Sequence, residues 1–312
     1  MVAAGRPKKC FLLLAVVVAS CEPRLSSDDG LVTSPRVIAV RGEPPETKPG
    51  ASATFTAFIA DPDAATPTDD AGYDGRDVPA WSFCTAPKPP AENTVVSSAC
   101  LESAALVRVG TGDTPTLTLP ADGCARFGPI AAPGGFRPRD PDLTGGYYQP
   151  LRVDLEKAAP VFHLARISCG VANATNDVAT RFAATYEPNR NPHITSLGAS
   201  IDGRPASLDA IPRGARVELV VGWDASDAER YVYFDPGTLT LGSAREAMQI
   251  AWYVGAGALR TESTGLGADD ERLRSENDWT APFSTGSSRL WIVLRDSRGG
   301  VDVLTRTLDV VP

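Results

Sequence analysis

The residues of this chain whose types suit them to chemistry are its cysteines, its two histidines and one run of aspartates. Four cysteines, Cys84, Cys100, Cys124 and Cys169, fall in the first half of the body. In an exported chain an even set reads as two disulfides, and four cysteines allow three pairings. The layout favours Cys84 with Cys100, which closes a short Pro-rich excursion, and Cys124 with Cys169, which ties a long loop to a later strand. Zinc would need closely spaced ligand pairs, and no CxxC or CxxH occurs. The aspartates Asp61, Asp63, Asp69, Asp70, Asp74 and Asp77 are the best candidates for a calcium site. That ion takes about 6–8 oxygen ligands, which one loop could gather. The spacing is not that of an EF-hand, and Asp/Gly/Pro loops also form simple solvated turns. Asp224, Asp227 and Glu229 make a sparser echo.

His163 and His193 have no positioned partner visible in sequence, as acid–base catalysis would need, so both read as structural. No GxSxG elbow, HExxH helix or Walker loop occurs. The chain therefore reads as a non-enzyme. Glycoside hydrolysis escapes this test, because it needs only two carboxylates. The stretch 127–150 is too long for an ordinary inter-strand loop and is rich in Gly, Pro and aromatics. Phe136, Tyr147 and Tyr148 could stack on a sugar or an apolar partner, with Arg137, Arg139, Asp140 and Asp142 around them. The competing expectation is that these rings fold back over a core.

The elements that place these residues begin with an address. Three basic residues, Arg6, Lys8 and Lys9, precede a short apolar run over 11–19, the outline of a signal peptide. The run is about half the length a spanning helix needs. Val18-Ala19-Ser20-Cys21 resembles the lipobox of bacterial lipoproteins. The resemblance implies diacylglycerol on the Cys21 sulfur, cleavage before it, and acylation of the new amine; several chains give firm anchoring where one is marginal. Glu22 in place of aspartate points to the outer rather than the inner membrane. Cys10 lies in the signal and receives no role.

Removing Arg6, Lys8 and Lys9 from 30 basic residues leaves 27 against 38 acidic ones, a net charge of −11. With no basic stretch interleaved with aromatics, nucleic acid is excluded as a partner. Residues 21–312 suffice for two ordinary domains.

Residues 21–34 have the low apolar content of a flexible tether, and folding is expected from about Pro35. A strand over 36–41, a turn over 44–50 and an alternating strand over 53–60 are followed by Trp81 in the apolar run 80–84. The order returns later. Pro192-His193-Ile194 opens it, 212–214 turns, 217–223 alternates, and Trp252 sits in the run 249–254. Each half closes on an expected hairpin: 161–169 into 178–186, and 289–295 into 301–311 through Gly299-Gly300, which supply the positive φ of a tight turn. Residues 187–192 read as a linker. Ser243–Met248 is the best candidate for a short helix.

Strand, turn, strand, buried tryptophan and closing hairpin, twice over, resembles the immunoglobulin-like sandwich, with Trp81 and Trp252 as the core tryptophans of its third strand. No cysteine pair brackets either one in the antibody manner. The fold class expected is all-β: two tandem Ig-like sandwiches over 35–187 and 188–312, the first carrying the 127–150 loop. Through segments such as 134–142, 144–150 and 294–300 the chain also resembles uncharacterised lipoproteins of myxobacteria and related deltaproteobacteria, a resemblance that implies the class and no activity. The expected role is non-enzymatic: a membrane-anchored envelope protein that binds a protein or glycan or serves as a structural subunit, with no cofactor unless calcium. The alternative is a carbohydrate-active enzyme or carbohydrate-binding module, with two carboxylates in a cleft beneath Tyr147 and Tyr148.

Overall fold

The computed structural model describes residues 28–63, 77–89, 91–129 and 143–312. Cys10, Cys21, Asp69, Asp70, Asp74, Phe136, Arg137, Arg139, Asp140 and Asp142 lie outside them. The described chain forms two β-sandwiches. The first comprises β1 (Arg36–Glu43), β2 (Glu46–Thr47), β3 (Ser52–Ala60), β4 (Ala80–Cys84), β5 (Leu106–Thr111), β6 (Thr116–Thr118), α1 (Gly123–Phe127), β7 (Gly146–Asp154), β8 (Val161–Ser168) and α2 (Asn176–Thr185). Its sheets run β1-β3-β6 and β2-β8-β7-β4-β5.

The second comprises β9 (Ser196–Ile201), β10 (Arg204–Pro205), β11 (Ile211–Pro212), β12 (Arg216–Gly222), β13 (Arg230–Asp235), β14 (Thr240–Arg245), β15 (Met248–Val254), β16 (Ala258–Leu259), β17 (Ser263–Leu266), β18 (Arg274–Thr280), β19 (Gly286–Asp296) and β20 (Val301–Val311). Its sheets run β10-β9-β12-β18-β16 and β11-β20-β19-β15-β17, with β13-β14 a separate hairpin.

The two sandwiches repeat one plan. In each, a short strand leaves the first sheet to pair in parallel with the last strand of the other: β2 with β8, and β11 with β20. Such sheet-switching, with antiparallel pairing elsewhere, is the Ig-like arrangement. Trp81 on β4 and Trp252 on β15 occupy equivalent central strands and are wholly buried. Their indole N–H groups donate to the Gly112 carbonyl (2.7 Å) and the Thr264 hydroxyl (2.8 Å), so neither burial strands a donor.

Four expectations are corrected. Residues 178–186 are not a strand; 178–185 belong to α2 and Tyr186 caps its end, and Val178 and Phe182, one helical turn apart, are the helix's buried residues. Thr175 caps it, its hydroxyl accepting from the Val178 amide. Ser243–Met248 is not helical, because 240–245 pairs along β13 and Met248 opens β15. The 127–150 stretch is not one loop, since Gly146–Asp154 is a central strand. Nor are residues 28–34 tether: Asp28–Gly30 form a 3-10 turn, and the Val32 amide donates to the Val254 carbonyl (2.8 Å) with the Val32 side chain buried. This segment fills the edge of β15 that β17, paired only with 248–251, leaves open.

The sandwiches pack face against flank. Val37, Val40 and Phe55 point into the first core, while Ile38, Phe58 and Ala60 point outward. Those outward residues meet Trp291, Val293 and Val301 on the outer face of the second sandwich, and together they form a third apolar cluster between the domains. Across β19, Leu290, Ile292 and Leu294 fill the second core while Trp291, 3% exposed, and Val293 fill the inter-sandwich layer. A strand buried on both faces reads as an unbroken apolar run, and Leu290–Leu294 is one.

Candidate functional site

The polar counterpart of that layer is the crossing segment 187–192. Pro188 and Pro192 cannot continue a helix, so α2 stops at Thr185 and the chain runs extended between the sandwiches. Asn189 (2% exposed) and Asn191 (6% exposed) point into the junction. The Asn189 amide N–H donates to Glu46 of the first sandwich (2.9 Å), and its side-chain amide donates to both Asp296 oxygens of the second (3.1 and 3.2 Å). Asn191 donates to the Gly42 carbonyl (2.7 Å) and accepts from the Val301 amide (2.9 Å). The expected linker is thus a seam bonded on both sides.

Two carboxylate–guanidinium clusters flank the seam. In the first, Arg166 Nε donates to Glu46 (3.1 Å) with both side chains out of solvent. The same guanidinium reaches the Thr144 hydroxyl (2.7 Å) and the Tyr148 hydroxyl (3.0 Å). Glu46 also accepts from the Ser168 hydroxyl (2.6 Å) and from that of Tyr186. Gly146 is needed here, since a Cβ would lie 2.0 Å from the Arg166 guanidinium carbon. Burial raises the Glu46 carboxyl, but the Arg166 charge and these donors outweigh it and hold it below the usual range. Burial and the Glu46 charge push the Tyr186 phenol up to about 12.

In the second cluster, Arg298 sits in the turn between β19 and β20. It donates to Glu246 (2.7 Å), Glu229 (2.8 Å) and the Glu187 carbonyl (3.1 Å), and lies 5.0 Å from the Tyr231 ring centre. Asp296 shapes the turn by accepting from the amides of Arg298 (2.8 Å) and Gly300 (2.9 Å). A Cβ on Gly300 would lie 2.0 Å from Asp296 Oδ2, so only glycine fits. Burial, then the neighbouring Asp296 charge, pushes Glu246 up to about 7 against the pull of Arg298. Burial likewise raises Asp296.

Through Glu229 and Tyr231 this cluster borders an open cleft of ≈ 830 Å³ between the end of α2 and the β13–β14 hairpin. Thr185 and Glu187 form one wall, and Arg230, Tyr231, Ser243 and Arg245 the other. Glu229, at the rim, is held by both Arg190 and Arg298.

Of the expected site residues Glu229 reaches the cleft, paired with arginines rather than grouped to hold an ion, and the others fall elsewhere. The disulfides join Cys84 to Cys100 and Cys124 to Cys169, with Cα separations of 5.4 and 5.5 Å inside the ordinary range. Tyr147 is buried in the first core and Tyr148 serves Arg166; neither lines the cleft. Asp61 accepts from the Asp63 amide (2.9 Å), a turn-closing bond, and Asp77 accepts from the amides of Glu156 (2.8 Å) and Lys157 (3.3 Å). Among the described residues no three His, Cys, Asp or Glu side chains are grouped to hold a metal. Asp224 and Asp227 form a reciprocal cap on the turn Ala225–Asp227, and Asp227 also meets His193 (3.1 Å). His163, partly exposed, stands edge-on to Phe55. Desolvation by the surrounding protein, then the Arg295 charge, lowers its imidazole to about 4. Glu46, Arg166, Glu246 and Arg298 carry no local sequence signal, because their partners lie 120 and 52 residues away.

The fold and this junction define an all-β protein of two Ig-like sandwiches joined side by side. No family profile matches the chain, and no curated protein does. Among solved structures it is similar to the Yersinia pseudotuberculosis adhesin InvE (12% identity, 86% of this chain and 58% of that one, TM-score 0.21), so it spans less than two thirds of that chain. It is also similar to fibronectin(III)-like modules of Clostridium thermocellum CbhA (8% identity, 87% and 93%, TM-score 0.20) and to the FN1–FN3 domains of chicken CNTN1 (11% identity, 88% and 67%, TM-score 0.21).

Proposed function

We propose that this chain is a lipid-anchored protein of the bacterial cell envelope that works without catalysis, as a rigid two-sandwich block presenting a surface to a partner. The observation that carries the presentation reading is the seam: apolar residues of both sandwiches close over Trp291, while Asn189 and Asn191 bond to both sides. Two modules held this way move as one body, which suits presentation of a composite surface and leaves little hinge freedom for closing over a substrate.

The anchor reading rests on Val18-Ala19-Ser20-Cys21. Among the described residues no helix is long and apolar enough to cross a membrane. Only six residues separate Cys21 from Asp28, where the packed 3-10 turn begins. At most about 3.6 Å per residue, that span would hold the block close to the bilayer. The non-enzymatic reading is supported by Arg298, which ties up both Glu229 and Glu246, with Glu246 wholly buried, so the two do not face a substrate together as a glycosidase pair would. Cys21→Ser should shift the protein from the membrane to the soluble fraction and abolish metabolic palmitate labelling; labelling unchanged by the substitution would end the lipoprotein reading.

A further inference from the structure

The β13–β14 hairpin contains a feature the fold does not explain. Arg230 and Arg245 are directly opposite one another in the antiparallel register, as are Val232 and Ser243. Opposite residues share a face, so the two cations stand side by side, an arrangement that costs stability. Both line the cleft.

The other cations there are committed. Arg190 is bound to Glu229, and Arg298 to Glu229 and Glu246. Arg245 spends one Nη on the Asp270 carbonyl (2.6 Å), which leaves the rest of its five donors. The guanidinium of exposed Arg230 has no hydrogen bond or ion pair among the described residues. A single oxyanion between the two would convert their repulsion into charge-assisted, fork-shaped hydrogen bonds.

The remaining lining narrows the ligand. Exposed Glu187 and Glu271 oppose a multiply charged anion and accept from hydroxyl groups; Ser226 and Ser243 add hydroxyls, and Leu273 an apolar surface. A monoanion rich in hydroxyls meets all of these. The volume falls within the range of about 300–1,000 Å³ typical of small-molecule sites. We propose that the cleft binds an acidic sugar, with its carboxylate held between Arg230 and Arg245 and its hydroxyls facing Glu187, Glu271 and the two serines. The inference rests on the reading of this chain as a binding protein and is independent of its lipid.

The test is titration of the full chain with D-glucuronate, followed by saturation-transfer NMR, with D-glucose, inorganic phosphate and N-acetylalanine as comparators. Glucuronate should bind at least about tenfold more tightly than glucose, and Arg230→Gln, an exposed change that leaves the fold intact, should weaken it by about tenfold or more, as should Arg245→Gln. Glucuronate binding no tighter than glucose, or unaffected by Arg230→Gln, overturns the site. Tighter binding of phosphate or N-acetylalanine overturns the sugar assignment. Either failure leaves the Cys21→Ser fractionation result standing, and a failed anchor leaves this titration intact.

Discussion

Glu46 with Arg166 and Glu246 with Arg298 are two buried carboxylate–guanidinium pairs on either side of one seam, yet their carboxyls move in opposite directions. Glu46 is lowered and Glu246 is pushed up to about 7. Burial raises both. Glu46 has a guanidinium, two hydroxyls and a backbone amide to itself. Glu246 shares its guanidinium with Glu229 and has the buried Asp296 nearby. The number of donors dedicated to each carboxylate, rather than the presence of an arginine, decides which one stays charged. The first pair locks the seam; the second, joined through Glu229 to an open cleft, is the adjustable one.

The largest expected effects come from the locked side. Glu46→Ala leaves Arg166 buried without its counter-charge, and should destabilise the protein by roughly 3–5 kcal/mol in urea melts. Replacing both partners by apolar residues, Glu46→Leu with Arg166→Met, should cost clearly less; an equal cost would mean the pair is not the source. Trp291→Ala, which opens a cavity between the sandwiches, should cost about 3–5 kcal/mol and split the thermal transition in two, since it removes their shared layer.

The smallest effect is on pH dependence, and its sign separates the two sides. Glu246, raised to about 7, contributes stability that is complete below its unfolded value near 4.5 and lost as pH rises through about 7. Glu46, lowered, contributes stability present above 4.5 and lost as pH falls through its folded value. His163, lowered to about 4, adds in the same direction, with stability present above 6.5 and lost towards pH 4. Glu246→Gln should therefore flatten the fall in stability between pH 4.5 and 7 and leave acid unfolding unchanged. A fall of undiminished slope would show that Glu246 is not the titrating group.

The sandwich repeat was legible because period-2 alternation and glycine turns are local, as in 53–60, 217–223 and the hairpin across Gly299-Gly300. Both core tryptophans follow from the same reading. In α2 the β-branched and aromatic residues of 178–186 suggest a strand, while the burial of Val178 and Phe182 follows the helical period. At 243–248 the helix-forming Ala-Arg-Glu-Ala-Met is overridden by pairing with β13. The sequence marks of the inter-sandwich layer were unbroken apolar runs, Leu290–Leu294 and Val37–Val40, apolar on a face that a lone sandwich would turn to water. Of the cleft cluster only Glu229 was marked, and for an ion rather than for an arginine, because burial of Arg298 between Glu229 and Glu246 depends on segments that only the fold brings together.

The account turns on the two sandwiches behaving as one body, and calorimetry of the full chain tests this most directly. A single transition with equal calorimetric and van't Hoff enthalpies is the predicted result. Two separate transitions in the unaltered protein would contradict it.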